Sequence, residues 1–472
     1  MSQKTVRTEE EIHSIVEEVF AMYDKFGADD YIGEPISQLE HMAQSAQLAE
    51  EEGFEDDVII AAFLHDIGHF CSSRDTSEDM GGYGTMRHEK VGADWLRERG
   101  FSEKVAQLIE NHVQAKRYLT FKNPHYYNKL SEASKKTLEY QGGRMSEEEA
   151  TAFRNDPLFA TSIRMRYWDE EAKVENVPIP DLTAYKQKCI KHLQLQQLEV
   201  PSVLELAPVR LSDEQLQSWE ENGFLHISGF FSELERKALV SWVEDLEARP
   251  ETPGKWMKYF EAGEGEDSSR MLCRIEDILP HHEGFNELLR GEVMTSVVSQ
   301  LMGEPAILFK EKLNLKLPGG QGFGAHQDAP AFTSFNQHYH ITLMISVDAS
   351  HPKNGCLEMV PGRHKEGLLP MKDDGTLAES FEEAVSWDPL STKSGDIVLF
   401  DSYIPHRSGP NTSSTPRRAL YVTYNKASEG SYREEYFSRK REVFPPDVER
   451  IPGKDYSDTG VFNIGNPVNT GN

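Results

Sequence analysis

The hydrophobic period of this chain changes once, near residue 200, and that change points to two domains of different class. Upstream, apolar residues recur at three-and-four spacing. Ile12, Ile15, Val16, Val19, Phe20 and Tyr23 mark one amphipathic helix, and Val105, Leu108 and Ile109 lead along another to His112 and Lys116. Downstream the pattern turns to short strand-like runs bounded by turn residues: Phe224 to Ile227, Leu313 to Leu317, Ile341 to Val347, Ile397 to Phe400 and Ala419 to Tyr424. We therefore expect an all-α domain over residues 1–195 and an aperiodic, proline-marked linker over 196–209. A β-sandwich or barrel with helices near its start, Asp213 to Glu221 and Glu233 to Glu247, should fill 210–472.

Composition removes several function classes. With 472 residues, 38% of them hydrophobic, each domain can bury its own core. The 50 basic and 79 acidic residues leave a net charge of −29, which repels nucleic acid and anionic membrane surfaces. A small anionic substrate stays open if a few cations form a local pocket. Four scattered cysteines, Cys71, Cys189, Cys273 and Cys356, form no Cys-x-x-Cys pair and indicate a reducing compartment. The N-terminus lacks an apolar leader core and no run approaches a membrane span, so the expected location is cytoplasmic.

Within the helical half, the run Val58 to Leu64 is apolar on every side and then meets His65, Asp66 and His69. Buried imidazole and carboxylate need hydrogen-bond partners or a metal. The spacing predicts one continuous helix with His65 and His69 on the same face, roughly 6 Å apart at Cβ. Further nitrogen and oxygen donors lie on other expected helices: His41 after the S-x-x-E capping box Ser37 to Glu40, His88, His112 and Asp169. Four imidazoles and two carboxylates suffice for two metals. The absence of thiolate favours iron, manganese or zinc, and Asp66 is placed to bridge two ions.

The pattern His41, His65-Asp66, Asp169 resembles the HD superfamily, an all-helical fold that usually houses a metal-dependent phosphohydrolase. A narrower likeness adds Tyr31-x-x-Glu34-x6-His41, His69, His88 and His112-x3-Lys116. These look like the mixed-valence di-iron oxygenases that cleave the carbon–phosphorus bond of 1-hydroxy-2-aminoethylphosphonate. That resemblance implies an Fe(II)/Fe(III) centre held by His41, His65, Asp66, His88, His112 and Asp169. Tyr31 would close one iron until substrate displaces it, and Glu34 would sense the substrate amine. His69, Lys116, Ser134, Thr137 and Arg166 would form the phosphonate pocket. Taken singly, Lys116 and Arg166 also fit solvated helix charges, Ser134 and Thr137 loop hydroxyls, and Tyr31 a packing ring.

In the strand-rich half, His326-Gln327-Asp328 and the distal His406 compose a two-histidine, one-carboxylate set suited to Fe(II), and alternation along a strand would aim His326 and Asp328 the same way. The surroundings Asn354-Gly355-x-Leu357-x3-Pro361-Gly362, Gly395-Asp396-x3-Phe400-Asp401 and Pro405-His406-x-Ser408-Gly409-x-Asn411-x5-Arg417 resemble the phytanoyl-CoA dioxygenase family. The resemblance implies a double-stranded β-helix, or jelly roll, mononuclear Fe(II), 2-oxoglutarate and O2 as co-substrate, with Arg417 on the distal carboxylate of 2-oxoglutarate. Arg418 is the competing candidate, and Arg363 departs from the serine common there. Lys310, Lys312, Asn314 and Lys316 fit either a phosphonate clamp or a solvated sheet edge, and Phe332, Phe335, Tyr339 and Tyr403 either line the pocket or pack.

Together the two likenesses imply a bifunctional oxidoreductase. Its C-terminal half would hydroxylate C1 of 2-aminoethylphosphonate, and its N-terminal half would cleave the product to glycine and phosphate. An N-methylated, for instance trimethyl, aminophosphonate uses the same ligands. The other alternative is an HD phosphohydrolase fused to an unrelated hydroxylase.

Overall fold

The computed structural model describes residues 7–31, 35–71, 80, 85–198, 200–262, 270–456 and 462. The chain separates into two compact units, Met1–Glu199 and Val200–Asn472.

The first unit is helical: α1 (Glu9–Phe26), α2 (Gln38–Glu51), α3 (Asp56–Leu64), α4 (Gly68–Cys71), α5 (His88–Glu98), α6 (Glu103–Lys122), α7 (Pro124–Lys129), α8 (Glu132–Tyr140), α9 (Glu147–Arg154), α10 (Phe159–Glu171) and α11 (Leu182–Gln197). The expected capping box opens α2: Glu40 N donates to Ser37 Oγ at 3.3 Å, and Ser37 N donates to Glu40 Oε2 at 2.7 Å. Such a cap contributes about 1 kcal/mol and fixes where the helix bearing His41 begins. Helix α3 is buried from Val58 through Leu64 and packs against α2, α6 and α11. Phe63 stacks on Phe20, Tyr23 and Tyr185, an anchor whose burial contributes roughly 1.5–3 kcal/mol.

The expected continuous helix through His69 does not form. α3 stops at Leu64, with His65 as its C-cap, and α4 starts at Gly68, four residues later. His65 Nδ1 donates to Ala62 O at 2.8 Å, taking the carbonyl that a continuing helix would offer to the Asp66 amide. The turn then carries Gly68 so close to α5 that a Cβ there would sit 1.9 Å from His88 O. Ser134 and Thr137 fall on α8, so the loop reading of these hydroxyls is corrected as well.

The second unit begins with α12 (Asp213–Asn222), β1 (Phe224–Ile227), α13 (Glu233–Ala248), β2 (Met257–Ala262), β3 (Arg270–Glu276), α14 (Glu283–Arg290), α15 (Glu292–Met302) and β4 (Ala306–Lys316). It continues with β5 (Phe323–His326), β6 (His340–Ser346), β7 (Leu357–Met359), α16 (Glu379–Ala384), β8 (Asp388–Leu390), β9 (Ile397–Asp401), β10 (His406–Ser408), β11 (Arg417–Lys426) and α17 (Arg433–Val443). All strand pairs are antiparallel. A seven-stranded sheet runs β1-β9-β6-β11-β4-β3-β2, and a four-stranded sheet runs β5-β10-β7-β8. This is the double-stranded β-helix with flanking helices.

On β11 the side chains divide by parity. Leu420, Val422 and Tyr424 join the core with the flanking helices, whereas Ala419 and Tyr421 join Met344, Met359 and Phe400 between the sheets. The pairing of β11 with β4 sets the remaining rows: Arg417 opposite Lys316, Tyr421 opposite Lys312, Thr423 opposite Lys310. Strand β4 lies inside the sheet, between β11 and β3, which excludes the solvated-edge reading of its lysines.

Candidate metal centres

The first unit brings its six expected donors together in two triplets, His41, His65 and Asp169, and Asp66, His88 and His112. His41 Nε2 lies 3.1 Å from His65 Nε2 and 3.5 Å from Asp169 Oδ1. His88 Nε2 lies 3.2 Å from His112 Nε2. Asp66 stands between the triplets. Its Oδ2 is 3.5 Å from His65 Nε2, and its Oδ1 is 3.3 Å from His88 Nε2.

The ring protons decide what these contacts mean. Each Nδ1 faces a backbone carbonyl, which only accepts: Ala172 O for His41, Ala62 O for His65, Thr85 O for His88 and Ile109 O for His112. Each Nδ1 therefore carries the hydrogen, and four Nε2 lone pairs converge in two pairs. Lone pairs at about 3 Å repel unless a cation sits between them. Asp169 supplies a second sign: Oδ2 accepts from Arg166 Nη1, whereas Oδ1 is buried without a hydrogen-bond partner. The donor set fits two metal ions bridged by Asp66. Burial pushes His112 down to about 3, leaving it neutral as a ligand requires.

The other expected residues gather unevenly. His69 stacks on His88 with centroids 4.1 Å apart, and its Nδ1 accepts from Thr85 N at 3.2 Å, so its Nε2 bears the proton. Lys116 Nζ donates to Thr137 Oγ1 at 2.6 Å and to Gln141 Oε1 at 3.0 Å. Burial and the Arg166 charge push Lys116 down to about 7. Arg166 reaches Asp169, Glu170 and the Tyr126 hydroxyl. Tyr31 stacks on His41 at 4.0 Å. Ser134 shares α8 with Thr137, whose hydroxyl donates to Ser134 O, and Glu34 lies outside the described residues. Sequence reasoning missed Gln141, Tyr126 and Glu170, because nothing in their spacing sets them apart from ordinary surface polarity.

In the second unit, His326, Asp328 and His406 form one triplet. The register of β5 with β10 sets His326 opposite His406, and their ring centroids are 4.3 Å apart. Both Nδ1 atoms again face carbonyls, Gly324 O at 2.7 Å and Ile404 O at 3.1 Å. Strand alternation is not what aims Asp328. β5 ends at His326, and Asp328 begins a 3₁₀ turn with φ −74°. The Thr342 hydroxyl then holds it, donating to Oδ2 at 3.1 Å.

The two arginine candidates separate cleanly. Arg418 is saturated by Asp348, with Nε and Nη2 each 2.8 Å from a carboxylate oxygen. Arg417 is buried, donates through Nη2 to Tyr421 Oη at 2.7 Å, and leaves Nε without a partner. That orphaned donor fits an incoming carboxylate. The cavity beside the ligands is lined by Lys310, Lys312, Asn314 and Tyr421, and by Arg274, which sequence reasoning missed because β3 went unrecognised. Lys316 turns away to Ser408 Oγ and Gly355 O. Phe332 and Phe335 pack with Phe309 and Tyr436, and neither they nor Tyr339 and Tyr403 are among the cavity's described lining residues.

The profile of the phytanoyl-CoA dioxygenase family matches residues 219–419, and that of the HD domain matches residues 38–151. A 2-aminoethylphosphonate dioxygenase from Uncultured bacterium HF130_AEPn_1 is 50% identical over 258 residues, 54% of this chain and 98% of that protein. The methylphosphonate hydroxylase of Gimesia maris is 43% identical over 234 residues, 50% of this chain and 88% of its own. The [1-hydroxy-2-(trimethylamino)ethyl]phosphonate dioxygenase (glycine-betaine-forming) of Leisingera caerulea is 40% identical over 173 residues, 36% of this chain and 85% of its own. Among the described residues, no helix is long and apolar enough to cross a membrane.

Proposed function

Because the chain belongs to the phytanoyl-CoA dioxygenase family over residues 219–419 and carries an HD domain over residues 38–151, we propose that it degrades an aminophosphonate in two consecutive oxidations. Residues 210–472 take the first. 2-Aminoethylphosphonate, O2 and 2-oxoglutarate become the 1-hydroxy compound, succinate and carbon dioxide. Residues 1–195 take the second, in which the 1-hydroxy compound and O2 become glycine and phosphate, and residues 196–209 link the two.

The observation that carries this reading is the convergence of unprotonated Nε2 atoms in both units beside orphaned acceptors and donors. His41, His65 and Asp169 would hold one iron of the N-terminal pair, and His88 and His112 the other, with Asp66 shared between them. His326, Asp328 and His406 would hold the mononuclear iron. When bound, these irons supply oxygen activation. The protein supplies the rest. Tyr31, stacked on His41, would occupy the first iron's open side until substrate arrives, and Glu34 would receive the amine. His69 Nε2–H, Lys116, Ser134, Thr137 and Arg166 would donate to the phosphonate oxygens. Arg417, fixed by Tyr421, would orient 2-oxoglutarate through its distal carboxylate.

The likeness to the trimethylamino enzyme supports a second version in which the amine is methylated. Purified protein given Fe(II), 2-oxoglutarate, air and 2-aminoethylphosphonate is expected to yield succinate, glycine and phosphate. The His326→Ala protein should release phosphate only when supplied with the 1-hydroxy compound. The His65→Ala protein should stop at that compound. Phosphate release without oxygen would sink the oxidative reading and favour hydrolysis.

A further inference from the structure

We propose that Arg274, Lys310 and Lys312 form the phosphonate clamp of the C-terminal site, holding a doubly charged phosphonate head beside His326, Asp328 and His406. The proposal rests on the C-terminal reaction assigned above and names the part of the substrate that this face of the sheet recognises.

The first ground is charge. Four described cations line the cavity apart from Arg407, which is paired with Glu358: Arg274, Lys310, Lys312 and Lys440. Against them stand Glu276 and the ligand Asp328. Glu276 is committed to Lys440, whose Nζ lies 2.7 and 2.6 Å from its two oxygens, and it also touches Arg274 Nε at 2.9 Å. With Asp328 devoted to the metal, Lys310 and Lys312 face the cavity without a carboxylate of their own, and Arg274 shares Glu276 with Lys440. In a chain of net charge −29 that surplus is held against the global field.

The second ground is unspent donors. Arg274 is 3% exposed, yet its Nη2 has no hydrogen-bond partner. Its plane is backed by the Tyr259 ring at 4.7 Å, which fixes the fork in place. Lys310 lies within 5.2 Å of the Tyr436 ring centroid and 5.5 Å separates Lys312 from that of Tyr421, and no carboxylate forms an ion pair with either amine among the described residues. Burial lowers both lysines, Lys312 to about 8, so a dianion arriving there restores the charged forms that the site otherwise penalises.

The third ground is position. Lys310 and Lys312 face the cavity from alternate residues of β4, and Arg274 enters from β3, opposite Asn314. The backbone of Arg417 is four residues from Tyr421, the cross-strand partner of Lys312, about 13 Å along the strand, and its Nη2 reaches back to the Tyr421 hydroxyl at 2.7 Å. Three donors around one tetrahedral head, carried on strands other than that of the arginine assigned to 2-oxoglutarate, fit a phosphonate better than a singly charged carboxylate.

The test is steady-state succinate formation by the full chain, since succinate reports the C-terminal step alone. Lys310→Met and Lys312→Met should each raise KM for 2-aminoethylphosphonate by about 10- to 100-fold, and Arg274→Lys by about 10-fold. KM for 2-oxoglutarate should stay within about threefold, which also certifies the fold. An unchanged phosphonate KM, or a 2-oxoglutarate KM rising in step, would overturn the clamp while leaving the reaction intact. If wild type forms no succinate with any phosphonate, the reaction is wrong. Calorimetric binding of methylphosphonate to the Fe(II)- and 2-oxoglutarate-loaded protein then judges the clamp separately: loss in Lys312→Met upholds it and retention overturns it.

Discussion

Both units aim histidine lone pairs at a common point by tying each Nδ1 to a backbone carbonyl, but they reach that arrangement by opposite routes. In the C-terminal unit the ligands ride on backbone pairing, since the β5–β10 register sets His326 opposite His406. In the N-terminal unit no ladder links the ligands. His41, His88, His112 and Asp169 sit on four separate helices and His65 and Asp66 on a turn, so side-chain packing alone sets the distances between them. A register is fixed by the hydrogen bonds of the sheet itself. Helix packing is fixed by volume, and the N-terminal centre should therefore be the more sensitive to a single added carbon.

The largest expected effect tests whether the centres are independent. Asp66→Ala removes the one carboxylate within reach of both triplets. Phosphate release should fall by at least about 10³-fold, with iron content dropping from about three per chain toward one. Succinate formation should not change. If succinate fell in proportion, the two-centre division would fail.

Next comes the packing claim. Gly68→Ala forces a methyl into the space of His88 O, which only movement of α4 away from α5 can relieve. We expect about 3 kcal/mol or more of destabilisation in the N-terminal unit by denaturant unfolding, with disproportionate loss of N-terminal iron. An alanine tolerated within about 0.5 kcal/mol would show that helix packing there is as forgiving as the sheet.

These two positions also show what the sequence could reveal. Helices bearing His41, His88, His112 and Asp169 were legible because apolar spacing and a capping box are local signals. The break after Leu64 was not, because Ile67 continues the apolar run and the stop depends on a hydrogen bond from His65 to Ala62 O. In the other unit, His326-x-Asp328 and Arg417 were legible as a motif, but the motif's geometry was not, since Thr342 on a different strand aims Asp328. Arg274 was invisible for a related reason: its place beside the ligands comes from the long-range pairing of β3 with β4.

Smaller effects refine the C-terminal side. Arg417→Met should raise KM for 2-oxoglutarate by about 100-fold, by removal of a charge-assisted contact. Arg418→Met should leave that KM nearly unchanged and instead lower stability, because it strands Asp348. Reversed results would exchange the roles of the two arginines. Thr342→Val, which deletes the hydroxyl on Asp328 Oδ2, should weaken Fe(II) binding by about tenfold, measured by titration of activity with Fe(II).

The smallest effect compares a buried lysine in each unit. Lys116 meets side-chain acceptors, Thr137 Oγ1 and Gln141 Oε1, and burial lowers it to about 7. Lys316 meets Ser408 Oγ and two backbone carbonyls, and burial followed by the Arg417 charge lowers it to about 6. Both folded-state values lie below the ordinary lysine value, so between the two the unfolded chain holds more protons and stability rises with pH. The contribution is fully present above the unfolded value and is lost as pH falls through the folded one. Relative to Lys316→Met, the wild-type C-terminal unit should therefore gain stability from pH 6 upward, with a slope of at most about 1.4 kcal/mol per unit. Relative to Lys116→Met, the N-terminal unit should show the same sign with onset near pH 7. Added 1-hydroxy-2-aminoethylphosphonate should move only the Lys116 onset upward, because only that amine is assigned to the substrate of its unit. An equal shift at Lys316 would return that lysine to the substrate pocket.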